Sequence, residues 1–232
     1  MNAAPAPLFP GVRACVFDAY GTLFDVASAA ARCDAVPVEK RAALAALWRD
    51  KQLQYTWLRT LQARYVDFET VTGDALDFAL ETLGLADPAR RARLMDLYRA
   101  LDAHADAKPA LSALRAAGQK IAILSNGSPA MLDAALAASG LGPLIDDAIS
   151  VDSARVFKTH PDAYRLALGR LAFPARDILF VSSNGWDAYA ASDFGMKVAW
   201  CNRSGQPPER LPGEPDAVVS SLTELPGLVG TR

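Results

Sequence analysis

The stretch "VFDAYGTLFD" stops an apolar run, Ala14 to Phe17, at a carboxylate, Asp18. A carboxylate in that position can form a turn, bind a metal, act as a base or attack as a nucleophile. Tyr20 and Thr22 follow it around Gly21. Three later stretches repeat the pattern of an apolar run followed by reactive side chains. "ILSNG" ends in Ser125 and Asn126, "VFKTHP" holds Lys158, and "LFVSSNGWD" carries Ser182, Ser183, Asn184, Trp186 and Asp187. Taken singly, each has a plain structural explanation. Asp18 can cap a turn, Ser125 can cap a helix and Lys158 can be solvated. Four such residues at the ends of four apolar runs, Asp18, Ser125, Lys158 and Asp187, call for a common cause.

The runs themselves read as buried strands: 13–19, 120–126, 147–151, 177–183, 197–202 and 216–221. Between most of them lie Ala- and Leu-rich stretches with helical spacing, such as "PALSALRAAG" and "PAMLDAALAASG", which end on Gly118 and Gly140. Alternation of continuous apolar strands with helices predicts an α/β fold, a Rossmann-like parallel sheet with helices on both faces. Ligands of such sheets bind beyond the C-terminal ends of the strands. That places the two carboxylates, the hydroxyl and the lysine along one edge.

The rhythm breaks once. From about Val26 to Ala105 the chain is almost entirely helix-forming, in "EKRAALAALWRDKQLQYTWLRTLQARY", "TGDALDFALETLG" and "DPARRARLMDLYRALD". This predicts an inserted helical cap over 26–105, with 1–25 and 106–232 forming the core. In the first cap helix Leu47, Trp48, Leu53, Tyr55, Trp57 and Leu58 are expected to bury much of the surface. "RSGQPPERLPGEPD" reads as a loop and "MNAAPAPLFPGVR" as a loose arm without the layout of a signal peptide.

Composition narrows the function classes. A net charge of −2 with no long basic run gives no footprint for nucleic acid. No apolar run is long enough to cross a membrane. The two histidines, His104 and His160, are too far apart in sequence to suggest a histidine metal site. Cys15, Cys33 and Cys201 are odd in number and form no CxxC, which suits a reducing cytoplasm.

The stretches "FDAYGTLFDV", "LWRDKQLQYTWLR", "ILSNGSP", "VFKTHPDAY" and "LFVSSNGWDA" resemble the haloacid dehalogenase superfamily, and within it the L-2-haloacid dehalogenases most closely. The resemblance covers nearly the whole chain after the N-terminal arm. It implies Asp18 as a nucleophile that displaces halide from C2 of an L-2-haloacid and forms an ester. Water then cleaves that ester and a D-2-hydroxyacid leaves, inverted at C2. Lys158 would hold Asp18 ionised, and Thr22 would hydrogen-bond around it. Ser125 would bind the substrate carboxylate, and Asn126 would lie beside the halogen. Asp187, supported by Ser182 and Asn184, would position or deprotonate the water. Arg49 would reach down from the cap to the departing halide, where charge appears. Asn126 and Trp186 would complete the halide site, and Tyr20, Leu53, Phe68 and Trp186 the apolar wall. Family members are commonly homodimers, and "LQYTWLRTLQARY" offers an apolar face for that.

A Mg²⁺-dependent phosphatase of the same superfamily is the main alternative. Such enzymes carry a second Asp two residues after the nucleophile to protonate the leaving alkoxide. Here that residue is Tyr20, and a phenol with a pKa of about 10 is a poor acid for the task. They also hold Mg²⁺ with acidic residues after the fourth strand, where this chain has Ser183 and leaves only Asp187. The expectation is therefore catalysis without metal or cofactor. A catalytically silent relative serving as a binding module is the other alternative, against which the intact Asp18, Arg49, Lys158 and Asp187 set speaks.

Overall fold

The computed structural model describes residues 7–230. All six apolar runs form strands: β1 Ala14–Phe17, β2 Lys120–Ser125, β3 Asp147–Ser150, β4 Ile178–Ser182, β5 Lys197–Cys201 and β6 Ala217–Val219. They make one parallel sheet in the order β3-β2-β1-β4-β5-β6. β1 lies between β2 and β4, and all four of its residues are buried. A strand covered on both faces must be apolar throughout, which is why the run is continuous rather than alternating. The chain winds outward from β1 to β3 on one side and returns to β4 on the other. The end of β1 is thus a topological switch point.

β1 ends where its backbone is diverted. The amides of Leu23 and Phe24 both donate to the carbonyl of Ala19, and Gly21 takes a φ of +92°. An L side chain is strained there, so glycine is required. The tight turn presents Asp18, Tyr20 and Thr22 at the mouth of the sheet.

Between β1 and β2 the chain forms α1 (Ser28–Ala31), α2 (Val38–Leu61), α3 (Phe68–Thr82) and α4 (Pro88–Arg99). Asp67 caps α3 by accepting from the Thr70 amide, and Asp87 caps α4, which has Pro88 in its first turn. The buried stripe of α2 differs from the expected one. It consists of Leu44, Trp48, Gln52 and Thr56, while Leu58 is exposed and Leu47, Leu53, Tyr55 and Trp57 are half-buried. Four-residue spacing selects one face of a helix, and here half of that face is polar. α2 also stops at Leu61, short of Tyr65.

The remaining helices are α5 (Ala107–Ala116), α6 (Pro129–Ser139), α7 (Pro161–Leu171), α8 (Gly185–Asp193) and α9 (Leu225–Leu228). α5 to α8 cover the sheet, and Gly118 and Gly140 follow α5 and α6 with positive φ. The stretch from Asn202 to Asp216 is a loop. The loose-arm reading fails for part of the N-terminus. Phe9 is buried, bridges to Val229 and donates its amide to the Leu228 carbonyl. An aromatic ring gains more from that burial than from solvent. Residues 1–6, the rest of that arm, lie outside the described residues. Among the described residues no helix is long and apolar enough to cross a membrane.

Candidate active site

Four of the sequence-predicted residues share one hydrogen-bonded cluster around Asp18. Its Oδ1 accepts from Lys158 Nζ at 3.0 Å, and its Oδ2 accepts from Thr22 Oγ1 at 2.9 Å and Asn184 Nδ2 at 2.8 Å. Lys158 Nζ also donates to Asp187 Oδ2 at 2.9 Å. All three charged groups are buried, Lys158 to 1% exposure and Asp187 to none. Bare charges at such depth would cost several kcal/mol each, so they persist only because they are paired. Burial alone would lower the Lys158 pKa, but attraction to Asp18 and Asp187 outweighs it and holds the ammonium above its ordinary value. Burial raises the Asp187 pKa, Asp18 adds to the rise, and Lys158 and a tyrosine hydroxyl oppose it.

That tyrosine is Tyr164 of α7, whose OH donates to Asp187 Oδ1 at 2.7 Å. It stands in the expected place of Ser182 and Asn184, which do not support Asp187 through their side chains. Ser182 Oγ accepts from the Asn184 amide at 3.1 Å, and the Asn184 side chain turns to Asp18 instead. The reason is direction. α8 starts at Gly185, so Asp187 sits within its first turn and meets Tyr164 of α7, while Asn184 precedes the helix and meets Asp18 after β1. The Asn184 carbonyl does accept from the Asp187 amide at 3.1 Å.

A second cation locks the two loops together from behind. Arg203 pairs with Asp106 at 2.9 Å, and donates to the carbonyl of Thr22 at 2.9 Å and to Ser183 Oγ at 2.5 Å. Thr22 Oγ1 in turn accepts from the Ser183 amide at 2.8 Å. Neither Arg203 nor Tyr164 was recognised from sequence. Tyr164 lies six residues after Lys158, on the first turn of the next helix, which is the available signal. Arg203 had none, because Asp106 is nearly a hundred residues away in the chain.

Ser125 closes β2, and its Oγ accepts from the Gly127 amide at 3.0 Å. Asn126 Oδ1 accepts from the Lys158 amide at 2.9 Å, which ties the β2 loop to the lysine. Tyr20 is buried with its ring 5.5 Å from Phe68 and 5.6 Å from Tyr98. A Cβ on Gly127 would come within 2.7 Å of that ring, so only glycine allows the β2 loop and Tyr20 to meet. The Tyr20 hydroxyl is buried and has no hydrogen-bond partner. Burial first, then Tyr98 and Asp18, hold its pKa well above the ordinary phenol value, so it is a donor.

Arg49 joins the cluster from α2. Its Nη2 donates to the Tyr20 carbonyl at 3.1 Å and to Asn184 Oδ1 at 3.2 Å. Asn184 therefore bridges Arg49 and Asp18. Leu53, half-buried, lies one turn beyond Arg49 on the same helix face. Trp186 of α8 meets Trp57 of α2 edge-on at 5.5 Å, so the inserted helices also touch α8 there.

The family model for haloacid dehalogenase-like hydrolases matches residues 12–195. The chain belongs to that family. The matched span of this haloacid dehalogenase-like hydrolase runs from before β1 to the end of α8, and so contains the cluster and the inserted helices. The chain is 45% identical to (S)-2-haloacid dehalogenase of Pseudomonas fluorescens, over 92% of its own length and 95% of that protein's. It is 45% identical to (S)-2-haloacid dehalogenase 4A of Burkholderia cepacia, over 92% and 93%. A solved structure of L-2-haloacid dehalogenase from Xanthobacter autotrophicus with chloropropionic acid covalently bound matches with a TM-score of 0.87 at 40% identity, covering 93% of this chain and 97% of that one.

Proposed function

We propose that the protein is an (S)-2-haloacid dehalogenase that converts L-2-haloacids to D-2-hydroxyacids through an ester on Asp18. The observation that carries this reading is the clamp on Asp18, three donors on two carboxylate oxygens beside the uncompensated Arg49. An Asp18 oxygen attacks C2, and the carbon–halogen electron pair leaves with the halide towards Arg49. Ser125 and the N–H groups of its loop, with the Tyr20 hydroxyl, hold the substrate carboxylate. Asp187 takes a proton from water, which attacks the Asp18 carboxyl carbon; the bond from that carbon to the C2 oxygen breaks, the proton passes to that oxygen, and the hydroxyacid leaves with the Asp18 carboxyl restored. C2 inverts once, in the first step. Asn126 and Trp186 border the halide, and Leu53 and Phe68 wall the side-chain pocket. Residues 26–105 act as a cap over a core of 1–25 and 106–232.

Donor chemistry supports a reaction without metal. Mg²⁺ requires open oxygen ligands. Here the Tyr20 carbonyl already accepts from Arg49 and Asn184, and Ser183 Oγ from Arg203. Among the described residues no group of three or more His, Cys, Asp or Glu could hold a metal ion. Three buried free thiols suit a cytoplasmic protein, and exposed Leu58 and Leu61 on α2 suit a homodimer.

The test is chiral. Each enantiomer of 2-chloropropionate is incubated with the protein in the presence of chelator, and chloride and lactate configuration are measured. Chloride from the L-enantiomer alone, with D-lactate, is expected. Retained configuration, release from the D-enantiomer alone, or activity that chelator removes and Mg²⁺ restores would sink the reading.

A further inference from the structure

Gln52 is a buried polar side chain that the reaction above leaves unused. It lies three residues after Arg49 on α2, so the two share a helix face. Its Oε1 accepts from Arg49 Nη1 at 2.9 Å, and its Nε2 donates to Thr72 Oγ1 at 2.7 Å and to the Tyr98 hydroxyl at 3.0 Å. The far end of this chain of hydrogen bonds fixes its direction. Thr72 donates its single hydroxyl proton to the Phe68 carbonyl at 2.7 Å, and a carbonyl can only accept. Thr72 can therefore only accept from residue 52. That turns the amide nitrogen of Gln52 towards α3 and its oxygen towards Arg49.

The choice of an amide matters electrically. Among the described residues Arg49 donates to Gln52 Oε1, the Tyr20 carbonyl and Asn184 Oδ1, all of them neutral. Elsewhere on the inserted helices Arg59, Arg91 and Arg99 each face a carboxylate, while Arg90 donates to the Ala35 and Leu85 carbonyls away from the Asp18 cluster.

We propose that Gln52 is the positioning residue for Arg49: its locked amide aims the guanidinium without neutralising it, and so sets the affinity for the departing halide. This rests on the reading of Arg49 as the group that receives the halide.

The measurement is inhibition of L-2-chloropropionate turnover by sodium bromide, in Gln52→Glu, Gln52→Met and Arg49→Ala, with melting curves on each. Gln52→Glu should weaken bromide inhibition about tenfold or more, the loss expected when a charged hydrogen bond is redirected to a carboxylate. kcat should fall more than KM changes. Relative to the parent at each pH, the loss should shrink as the introduced carboxyl is protonated, which a packing defect would not do. Gln52→Met keeps the volume, loses the acceptor and should show a smaller loss without that pH recovery. If Gln52→Glu does not fold, Gln52→Met alone decides. Bromide inhibition unchanged in the folded Gln52 variants, with only the melting point lowered, overturns the role of Gln52. Bromide inhibition unchanged in Arg49→Ala overturns the halide reading itself, and this inference with it.

Discussion

Two cations reach the same pocket from different parts of the chain, and they are bonded in opposite ways. Lys158 comes from the loop between β3 and α7 and touches two carboxylates, Asp18 and Asp187, at 3.0 and 2.9 Å. Arg49 descends from α2 and touches only neutral oxygens. The charge of Lys158 is committed before any ligand arrives, while that of Arg49 is available. A committed cation holds a nucleophile in place, and an available one receives an anion. In the proposed reaction charge moves from one to the other. Ester formation removes the negative charge on Asp18 beside Lys158, and the halide carries it to Arg49. The carboxylate that repelled Asp187 is then gone, so Asp187 is ionised at the step that needs it.

The harshest test of the Lys158 side is Asp18→Asn. The amide keeps the shape but loses both the nucleophilic oxygen and the partner of Lys158. Steady-state halide release should fall roughly 10⁴-fold or more, the scale seen when a covalent nucleophile is removed. Substantial steady-state activity in a sequence-verified preparation would remove Asp18 from the role. The matching test on the other side is Arg49→Lys. Lysine keeps the charge but lacks the planar fork that spans Gln52, Tyr20 and Asn184. A loss of about 10²-fold in kcat/KM is expected, in the range for one group that stabilises a developing anion. A variant with parent-like kcat/KM would mean that charge alone suffices and that the neutral cradle has no role.

The two sides were also unequally legible in the sequence. The sheet was readable because a strand buried on both faces must be apolar throughout, and four of the runs lead into a residue out of keeping with them. Six strands and the gathering of Asp18, Ser125, Lys158 and Asp187 at one edge follow from that contrast, whereas the parts of Thr22 and Asn184 came with the family resemblance. The family resemblance supplied what spacing could not, the place of Arg49 among many cap arginines. The inserted helices hid the rest. Their apolar residues occur on several faces, so the buried stripe of α2 could not be chosen from composition. The polar members of that stripe, Gln52 and Thr56, give no apolar signal of their burial. Tyr164 was passed over because an aromatic on an amphipathic helix is ordinarily core. Asp106 and Arg203 meet only through the fold.

Tyr164 gives a finer test of the committed side. Its hydroxyl donates to Asp187 and so favours the ionised form, against the burial that raises the Asp187 pKa. In the proposed reaction Asp187 must be ionised to take a proton from water, so kcat, which would contain ester hydrolysis, should fall as pH drops through its pKa. In Tyr164→Phe the ionised form loses a donor and its pKa rises further. The acid limb of the kcat profile should move to higher pH, with a several-fold loss on that side and little change above it. An acid limb that stays in place while activity falls at all pH values would make Tyr164 a packing residue.

The smallest expected effect concerns the hydroxyl that neither cation reaches. Tyr20 OH is buried and has no hydrogen-bond partner among the described residues, which costs stability. In the proposed reaction it donates to the substrate carboxylate, so the cost is recovered on binding. Tyr20→Phe removes the hydroxyl and keeps the ring against Phe68 and Tyr98. The free protein should gain about 1 kcal/mol, since an unsatisfied buried polar group is lost, and melt about 2–4 °C higher. KM for the haloacid should rise a few-fold, because the substrate loses a donor it would otherwise find. A lower melting point would mean that the hydroxyl is satisfied without ligand. An unchanged KM alongside a higher melting point would leave Tyr20 as the apolar wall expected from sequence, and Ser125 with its loop amides as the carboxylate site on their own.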